Sequence, residues 1–151
     1  MSALTVDQAL ALRKGRRLVF TNGVFDLLHA GHVRYLAQAR ALGELLVVGL
    51  NSDASARALG KGPNRPINRE EDRAAVLAAL RSVDGVVLFD EPTPEALIAV
   101  LKPETHVKGG DYRAEDLPEA ATVQSYGGEI VILPLLKGRS TTQLAREVGL
   151  E

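Results

Sequence analysis

The run Leu-Leu-Val-Val-Gly-Leu at residues 45–50 is apolar at every position and restricts the fold more than any other stretch of the chain. A strand with one solvated face alternates apolar and polar residues, whereas a strand covered on both faces has no polar positions. Such strands are typical of parallel sheets, because the helices that connect parallel strands cover both faces. The sequence therefore predicts a central strand flanked by helices on each side.

Strand-like and helix-like segments alternate along the rest of the chain. Short apolar runs stand at 18–21, 86–89, 105–108 and 130–133. Helical patterns stand at 31–41, 54–59, 68–82, 94–102 and, more weakly, 115–126. This alternation predicts a three-layer α/β fold with a five-stranded, mostly parallel sheet. We expect a single domain over residues 1–151, whose first 15 residues form a peripheral helix that begins with a capping box at Thr5 and Gln8.

Two internal helices have predicted N-caps. Asn68 stands three residues before Glu71, which is the spacing of a capping box. Thr93 stands before Pro94, and proline is favoured at the first helical position. The sequence therefore predicts helices that begin directly after Asn68 and after Thr93.

His29 and His32 stand at the junction between the first strand and the helix that follows it. Residues three apart on a helix face the same way. The N-terminus of that helix presents unpaired N–H groups and the positive end of the helix dipole. We therefore predict that the pair binds a phosphate group. The alternative is that the two histidines only cap the helix. A zinc site is disfavoured because helical His ligands usually stand four apart and need a third ligand.

Composition limits the possible partners. The 18 Lys and Arg residues nearly balance 19 Asp and Glu residues, so the formal net charge is -1 and no overall basic field favours a nucleic-acid partner. The chain has no cysteine, which excludes disulfides, iron–sulfur clusters and thiol catalysis. No apolar run reaches the length of a membrane span. We expect a soluble, cytoplasmic protein that binds anions only locally.

Polar residues follow two of the predicted strands. Asn51 and Asp53 come after the run at 45–50, where they either line a ligand cleft or cap the next helix. The pair Gly109-Gly110 follows the fourth strand, and successive glycines let a backbone approach a ligand closely. His106 lies alone within that strand, and we expect it to be a hydrogen-bonded core residue.

Two basic loops contain glycine. Residues 60–67 hold Lys61 and Arg65 between glycines and prolines, and we expect this loop to close over an anionic ligand. The second loop, 137–143, stands before a helix start with Ser140 and Gln143 spaced as a capping box. Such a loop can bind phosphate through Arg139, its hydroxyl groups and the helix N–H groups, although a plain capped helix is the alternative.

Five segments together resemble a known family. Neither the dinucleotide-binding glycine motif nor a P-loop is present. Residues 21–32 (TNGVFDLLHAGH), 51–53 (NSD), 65–68 (RPIN), 107–112 (VKGGDY) and 138–142 (GRSTT) resemble the cytidylyltransferase-like nucleotidyltransferases with their H-x-G-H and S-T-T motifs. The resemblance extends over nearly the whole chain from about residue 16 and is greatest to the branch that adenylylates a heptose 1-phosphate. It implies a Rossmann-like nucleotidyltransferase fold.

The resemblance also implies roles for individual residues. His29 and His32 would hold the phosphates of ATP and stabilise the transition state, and Lys61 would be the third catalytic residue, between the two substrates. Asp26 and Asp111 would lie near the acceptor or its metal. The remaining nucleotide-binding residues implied are Thr21, Asn22, Gly23, Phe25, Gly31, Asn51, Lys108, Gly110, Arg139, Ser140, Thr141 and Thr142.

The expected reaction is transfer of AMP from ATP to a sugar 1-phosphate, with release of pyrophosphate. Mg²⁺ would arrive with the ATP, and no metal ligands are assigned to the protein itself. A homodimer and a separate sugar kinase are the possible protein partners. The alternatives are a CTP-dependent enzyme similar to glycerol-3-phosphate cytidylyltransferase, and a non-catalytic nucleotide-binding domain.

Overall fold

The computed structural model describes residues 2–60 and 62–134. The strands are β1 Leu18–Gly23, β2 Leu45–Asn51, β3 Gly85–Phe89, β4 Thr105–Gly109 and β5 Glu129–Leu133. The helices are α1 Val6–Arg13, α2 Ala30–Arg40, α3 Asp53–Ala58, α4 Glu70–Ala78, α5 Glu95–Leu101 and α6 Ala120–Ser125, and a 3₁₀ turn spans Ala114–Asp116. Within the described ranges, no helix has the length and apolar character needed to cross a membrane.

All five strands are parallel and lie in the order β3-β2-β1-β4-β5. The chain adds strands on one side of β1 and then returns to add β4 and β5 on the other side. Strand order therefore reverses between β1 and β4, and open α/β sheets bind ligands at the carboxyl ends of the strands at such a reversal. The predicted α/β fold with a five-stranded parallel sheet is confirmed.

A separate hydrophobic core covers each face of the sheet. On one face, Leu46, Val48 and Leu50 of β2 pack with residues of α2 and α4. On the other face, Leu45 and Val47 pack with residues of α1, α5 and α6. Every residue of β2 is buried, so the prediction of a strand covered on both sides is confirmed. Fully burying one such leucine stabilises the fold by about 1.5–3 kcal/mol.

The predicted start of α1 is confirmed, because Thr5 and Gln8 form the expected reciprocal capping box. The predicted caps of α4 and α5 are wrong. Arg69 occupies the N-cap position of α4 without a side-chain bond, since the side-chain amide of Asn68 donates instead to the carbonyl of Asp26 at 2.8 Å. Pro94 is itself the N-cap of α5, again without a side-chain bond, so that helix begins one residue later than predicted.

Candidate functional site

The two histidines cap α2 reciprocally. Nδ1 of His29, the N-cap residue, accepts a hydrogen bond from the backbone N–H of Gly31 at 3.0 Å. Nδ1 of His32 accepts one from the backbone N–H of His29 at 3.3 Å. The ring centroids are 4.0 Å apart. Nδ1 of each ring therefore has the capping role given above as the alternative. The predicted binding of phosphate would involve Nε2.

These hydrogen bonds determine where each imidazole carries its proton. A nitrogen that accepts a backbone N–H bond cannot hold a proton, so in the neutral ring the proton is on Nε2. Burial, and then the charge of the neighbouring His29, lower the pKa of His32 to about 4. His32 is therefore neutral at pH 7 and presents Nε2–H as a donor. Capping at Nδ1 orients the ring for donation at Nε2.

Acidification should destabilise the fold in part through His32. Its pKa falls from an unfolded value of 6.5 to about 4 in the native state, so the unfolded chain binds the proton more readily. The stability that the neutral ring contributes is complete above pH 6.5 and is lost as the pH falls towards 4. Urea unfolding at pH 7 and pH 5 should show a smaller loss for His32→Asn than for the wild type. Parallel losses in the two proteins would contradict this assignment.

Phe25 packs against the histidine pair from the loop after β1. Its backbone adopts φ 48, which is uncommon for a residue with a side chain. Its ring meets the His32 ring edge-on, with the centroids 5.6 Å apart. The same ring covers Gly23, where an added Cβ would lie only 2.9 Å from the ring. Gly23 is thus required because the Phe25 ring occupies the space of a side chain, and that ring holds His32 in place.

Asp26 is buried and anchors the loop before α4. Its carboxylate accepts hydrogen bonds from Nε of Arg65 at 3.1 Å and from the backbone N–H groups of Ile67 and Asn68 at 2.6 and 2.8 Å. These contacts give Asp26 a positioning role, and its predicted place near the acceptor or a metal stays a prediction. They also tie the end of the 60–67 loop to Asp26, and the closure of that loop over a ligand stays a prediction.

Replacing Asp26 with asparagine should lower the free energy of unfolding by about 1–3 kcal/mol. One carboxylate oxygen becomes an N–H donor that faces groups which are themselves donors, and Arg65 loses its buried counter-charge. Chemical unfolding measures the change. Asp90→Asn is the matched control, because Asp90 is exposed. Equal stabilities of the two variants would refute the anchoring role of Asp26.

A buried arginine that is not among the predicted site residues ties three chain segments together. Arg73 lies on the inner face of α4, and its guanidinium donates to the carbonyl oxygens of Asn68, Val24 and Asn51 at 2.8–3.0 Å. It also forms an ion pair with Asp53 at 2.7 Å. The one feature in the sequence that could have identified it is a positive charge beside Ala74 on the apolar stripe of the helix.

Asn51 and Asp53 belong to this structural network. The Asn51 side chain donates to the hydroxyl of Ser55 at 2.9 Å and is buried. Ser52, rather than either predicted residue, caps α3. The binding role predicted for Asn51 stays a prediction, whereas its contacts support the carboxyl end of β2.

The loop after β4 lies at the same edge of the sheet as the histidine pair. Nζ of Lys108 is 5.9 Å from the centre of the Tyr112 ring, within the range of a cation–π contact. Gly110 has φ 127 and donates its N–H to the carbonyl of Leu133 at 3.0 Å, so it joins the ends of β4 and β5. The Asp111 side chain is exposed. The end of β4 and the loop after it thus combine a cation, a carboxylate and a glycine turn at the carboxyl edge of the sheet.

The other predicted site residues occupy different environments. The Thr21 hydroxyl is fully buried and donates to the carbonyl of Val107 at 2.8 Å, so only its backbone is left for the predicted role. Oδ1 of Asn22 has no hydrogen-bond partner within the described part of the chain. Gly31 supplies the N–H that His29 accepts. The remaining predicted residues, Lys61, Arg139, Ser140, Thr141 and Thr142, lie outside the described residues.

His106 is the hydrogen-bonded core residue predicted from the sequence. It is fully buried, and its Nε2 lies 2.7 Å from Oε2 of Glu119. Burial alone would raise the pKa of Glu119, but the hydrogen bond with His106 and the charge of Lys108 hold that pKa below its usual value. The pair lies on the face of β4 that packs with Phe20 and α6. It therefore stabilises the core behind the β4 loop.

The geometry gives the carboxyl edge of the sheet the properties of an anion site. Two imidazoles, of which His32 is neutral at pH 7, stand at the N-terminus of an 11-residue helix, where the helix dipole favours negative charge. Lys108 adds a cation at the neighbouring strand end. Within residues 2–60 and 62–134, no three His, Asp or Glu side chains are arranged to hold a metal ion. This chemistry suits phosphate binding with hydrogen-bond and charge stabilisation.

Comparison with known sequences shows extensive similarity. The chain is 56% identical over 143 residues to the D-beta-D-heptose 1-phosphate adenylyltransferase of Bordetella bronchiseptica, and the match covers 95% of this chain and 88% of that protein. It is 55% identical over 136 residues to the bifunctional protein HldE of Syntrophotalea carbinolica. That match covers 90% of this chain but only 28% of the bifunctional protein, so the chain spans little more than a quarter of such relatives.

Solved structures share the fold. The lipopolysaccharide core biosynthesis protein of Thermoplasma volcanium superposes with a TM-score of 0.67 at 32% identity, covering 83% of this chain and 100% of that chain. Pantothenate synthetase of Thermus thermophilus, at 15% identity, gives a TM-score of 0.63 over 90% of this chain and 62% of that chain, which shows likeness of fold alone.

The family resemblance predicted from the five sequence segments is confirmed. The sequence model of the cytidylyltransferase-like family matches residues 20–135, which begin in β1 and include both histidines and the loop after β4. The match, the identity to the Bordetella protein and the parallel sheet with its strand reversal agree with one another. On these grounds the chain belongs to the cytidylyltransferase-like family.

Proposed function

We propose that this chain transfers the adenylyl group of ATP to D-β-D-heptose 1-phosphate and releases pyrophosphate. The observation that carries the proposal is the 56% identity, over 95% of the chain, to a protein named for that reaction. The reciprocal capping of His29 and His32 supports it, because Nδ1 of each ring accepts a backbone N–H bond and the proton of a neutral ring is therefore on Nε2, the form that can donate to a phosphate oxygen. ADP-heptose is the expected second product.

The chemistry consists of one displacement at phosphorus. A phosphate oxygen of the sugar phosphate attacks the α-phosphorus of ATP, and the bond from that phosphorus to the oxygen bridging to the β-phosphorus breaks. Negative charge then increases on the leaving pyrophosphate and on the non-bridging oxygens. His29 and His32 would donate Nε2–H to these oxygens, and the N-terminus of α2 would add its positive dipole. Catalysis needs no nucleophilic side chain, only positioning and fixed donors.

Residues outside the described ranges complete the proposal through family resemblance alone. Lys61 would neutralise charge between the two substrates, and Arg139 with Ser140, Thr141 and Thr142 would bind the β- and γ-phosphates. Each of these groups is a cation or a hydroxyl donor suited to phosphate oxygens. Loss of any one should therefore lower turnover.

A pyrophosphate-release screen tests the function. ATP, GTP, CTP and UTP are each combined with heptose 1-phosphate, hexose 1-phosphates and glycerol 3-phosphate. We expect the ATP and heptose 1-phosphate pair to give the highest kcat/KM. A clear preference for CTP with glycerol 3-phosphate would instead identify a cytidylyltransferase of the related kind. Absence of turnover with every pair would favour a binding domain.

We expect a divalent cation to enter the site together with the nucleotide. Among the described residues no three-ligand cluster exists, and the Asp26 carboxylate already accepts three hydrogen bonds. Asp111 is the remaining candidate carboxylate, and it is exposed beside the crevice. Mg²⁺ suits such a site, because it keeps most of its waters and binds mainly to phosphates. Bound in this way, it would neutralise charge on the triphosphate.

Turnover should require Mg²⁺, although the protein without nucleotide should bind the ion only weakly. Metal analysis of the purified protein should find no stoichiometric zinc, and calorimetry should detect Mg²⁺ binding only when an ATP analogue is present. EDTA should abolish activity and excess Mg²⁺ should restore it. Tightly bound zinc, or full activity in EDTA, would show that the metal assignment is wrong.

A further inference from the structure

The two strands that border the crevice separate early. β1 pairs with β2 over six positions, up to Gly23 with Leu50. In contrast, β1 pairs with β4 only at Val19 with Thr105 and at Phe20 with His106. The backbone ladder between β1 and β4 therefore ends where the next pair, Thr21 and Val107, would stand. The strand reversal leaves the carboxyl ends of these strands without a backbone connection.

Side chains replace the missing backbone bonds at this point. The hydroxyl of Thr21 donates to the carbonyl oxygen of Val107 at 2.8 Å. The hydroxyl of Tyr35, from α2, lies 2.6 Å from the Thr21 hydroxyl and 3.1 Å from the same carbonyl. Three polar groups from β1, β4 and α2 thus meet in one contact, buried at Thr21 and half-buried at Tyr35, which we call the clasp: Thr21, Tyr35 and the Val107 carbonyl.

The hydrogen bonds of the clasp do not depend on pH near neutrality. Burial raises the pKa of Tyr35 to about 12, so its hydroxyl stays protonated. Two hydroxyls and one carbonyl satisfy one another there, and Thr21 has no solvent exposure. Because each of these groups already bonds the other two, we expect the clasp to bind no ligand itself. Any effect of the clasp on the site must act through position.

The clasp lies between the histidine pair of α2 and Lys108 at the end of β4. Tyr35 follows His32 by three residues, and residues three apart lie on the same face of a helix. Val107 directly precedes Lys108, the cation near the carboxyl end of β4, just before the loop that follows this strand. A hydrogen bond from Tyr35 to the Val107 carbonyl thus sets the distance between the histidine pair and Lys108.

We propose that Tyr35 is a positioning residue, which through the clasp holds the phosphate-binding end of α2 in register with the β4 loop for adenylyl transfer. This inference rests on the proposed function for its catalytic consequence. Its structural part does not depend on which substrates the protein uses. Small displacements of groups that bind the transition state can lower rates by about 100-fold.

The chain supplies a matched control. The hydroxyl of Tyr126 donates to the carbonyl of Pro103 at 2.8 Å, and burial also raises the pKa of Tyr126 to about 12. Pro103 precedes β4, at the opposite edge of the sheet from the site. Tyr35→Phe and Tyr126→Phe each remove one hydroxyl that bonds a carbonyl. Each should cost on the order of 1 kcal/mol of stability.

The two variants should differ in catalysis. Steady-state kinetics, run well below both melting temperatures on whichever substrate pair the wild type prefers, should give a kcat for Tyr35→Phe lowered by about 10- to 100-fold. The KM for ATP should change little, because the Tyr35 hydroxyl is engaged with Thr21 and the Val107 carbonyl and is expected to act through position alone. Tyr126→Phe should keep the wild-type kcat. Equal kcat values for the two variants, or a Tyr35→Phe effect confined to KM, would overturn the proposal.

A second measurement separates this proposal from the proposed function. Hydrogen exchange of the backbone amides at 107–111 should accelerate in Tyr35→Phe and remain unchanged in Tyr126→Phe. If the wild type turned over no substrate pair, the proposed function would fail while this exchange difference still supported the clasp. Unchanged exchange in Tyr35→Phe would show that the clasp does not hold the end of β4.

Discussion

Replacing His29 or His32 with asparagine should lower kcat by about 100- to 1,000-fold while leaving stability close to that of the wild type. Oδ1 of asparagine and Nδ1 of histidine are both bonded to Cγ, so the acceptor that caps α2 is retained. Asparagine is also a favoured N-cap residue. The Nε2–H donor is lost, and that donor is the group proposed to stabilise transition-state charge.

Alanine at the same positions provides the matched comparison. His29→Ala and His32→Ala remove the cap together with the donor, and loss of a cap costs about 0.5–2 kcal/mol. Alanine variants should therefore lose both stability and turnover, whereas asparagine variants lose turnover alone. The dissociation constant of ATP should change much less than kcat in all four, because the interaction strengthens in the transition state.

Steady-state kinetics, calorimetry with an ATP analogue and urea unfolding supply the three measurements. If the asparagine variants kept near wild-type turnover while the alanine variants lost stability, the histidines would be helix caps alone. The proposed catalytic role of the pair would then be abandoned. The family assignment, which rests on the whole sequence, would remain.

The sequence predicted those parts of the fold that depend on local pattern. The apolar run at 45–50 indicated a strand covered on both faces, because the positions that face each side of such a strand are all apolar, and the structure contains that strand. The spacing of Thr5 and Gln8 predicted a capping box, and the structure contains it. The spacing of His29 and His32 likewise placed both rings at one helix start. Each of these features involves residues that are close in sequence.

Features that depend on distant residues could not be predicted in this way. Asn68 has the spacing of an N-cap, but its amide bonds Asp26, which is 42 residues earlier in the chain. Asp26 shows no sign in sequence of anchoring a loop, because its donors come from residues 65, 67 and 68. A side chain with the spacing of a helix cap does not form the local cap when the folded chain offers it a more favourable hydrogen-bond partner.

The contacts of Arg73 also involve distant residues and could not be predicted from local pattern. Of the substitutions considered, its replacement should have the largest effect on the free energy of unfolding. Arg73→Met should lower the free energy of unfolding by about 3–5 kcal/mol, the range for removing one member of a buried ion pair. The change leaves the Asp53 carboxylate without its partner. It also leaves the carbonyls of Val24 and Asn51 without the donor that joins the ends of β1 and β2.

Two further variants identify the cause. Arg69→Met removes an exposed arginine that stands four residues earlier and makes no side-chain cap bond, so its stability should stay within a few tenths of a kcal/mol of the wild type. Arg73→Lys keeps the charge but lacks the planar fork of five donors, and it should recover only part of the loss.

The double variant Arg73→Met with Asp53→Asn separates the ion pair from the carbonyl contacts. If the ion pair dominates, the two changes together should cost less than the sum of the single changes, because removing Arg73 already leaves Asp53 unpaired. If the carbonyl contacts dominate, the two costs should add. A loss for Arg73→Met no larger than that for Arg69→Met would show that the ends of β1 and β2 hold their positions without this guanidinium. The backbone ladder, the Asp26 anchor and the clasp would then be sufficient to organise the carboxyl edge of the sheet.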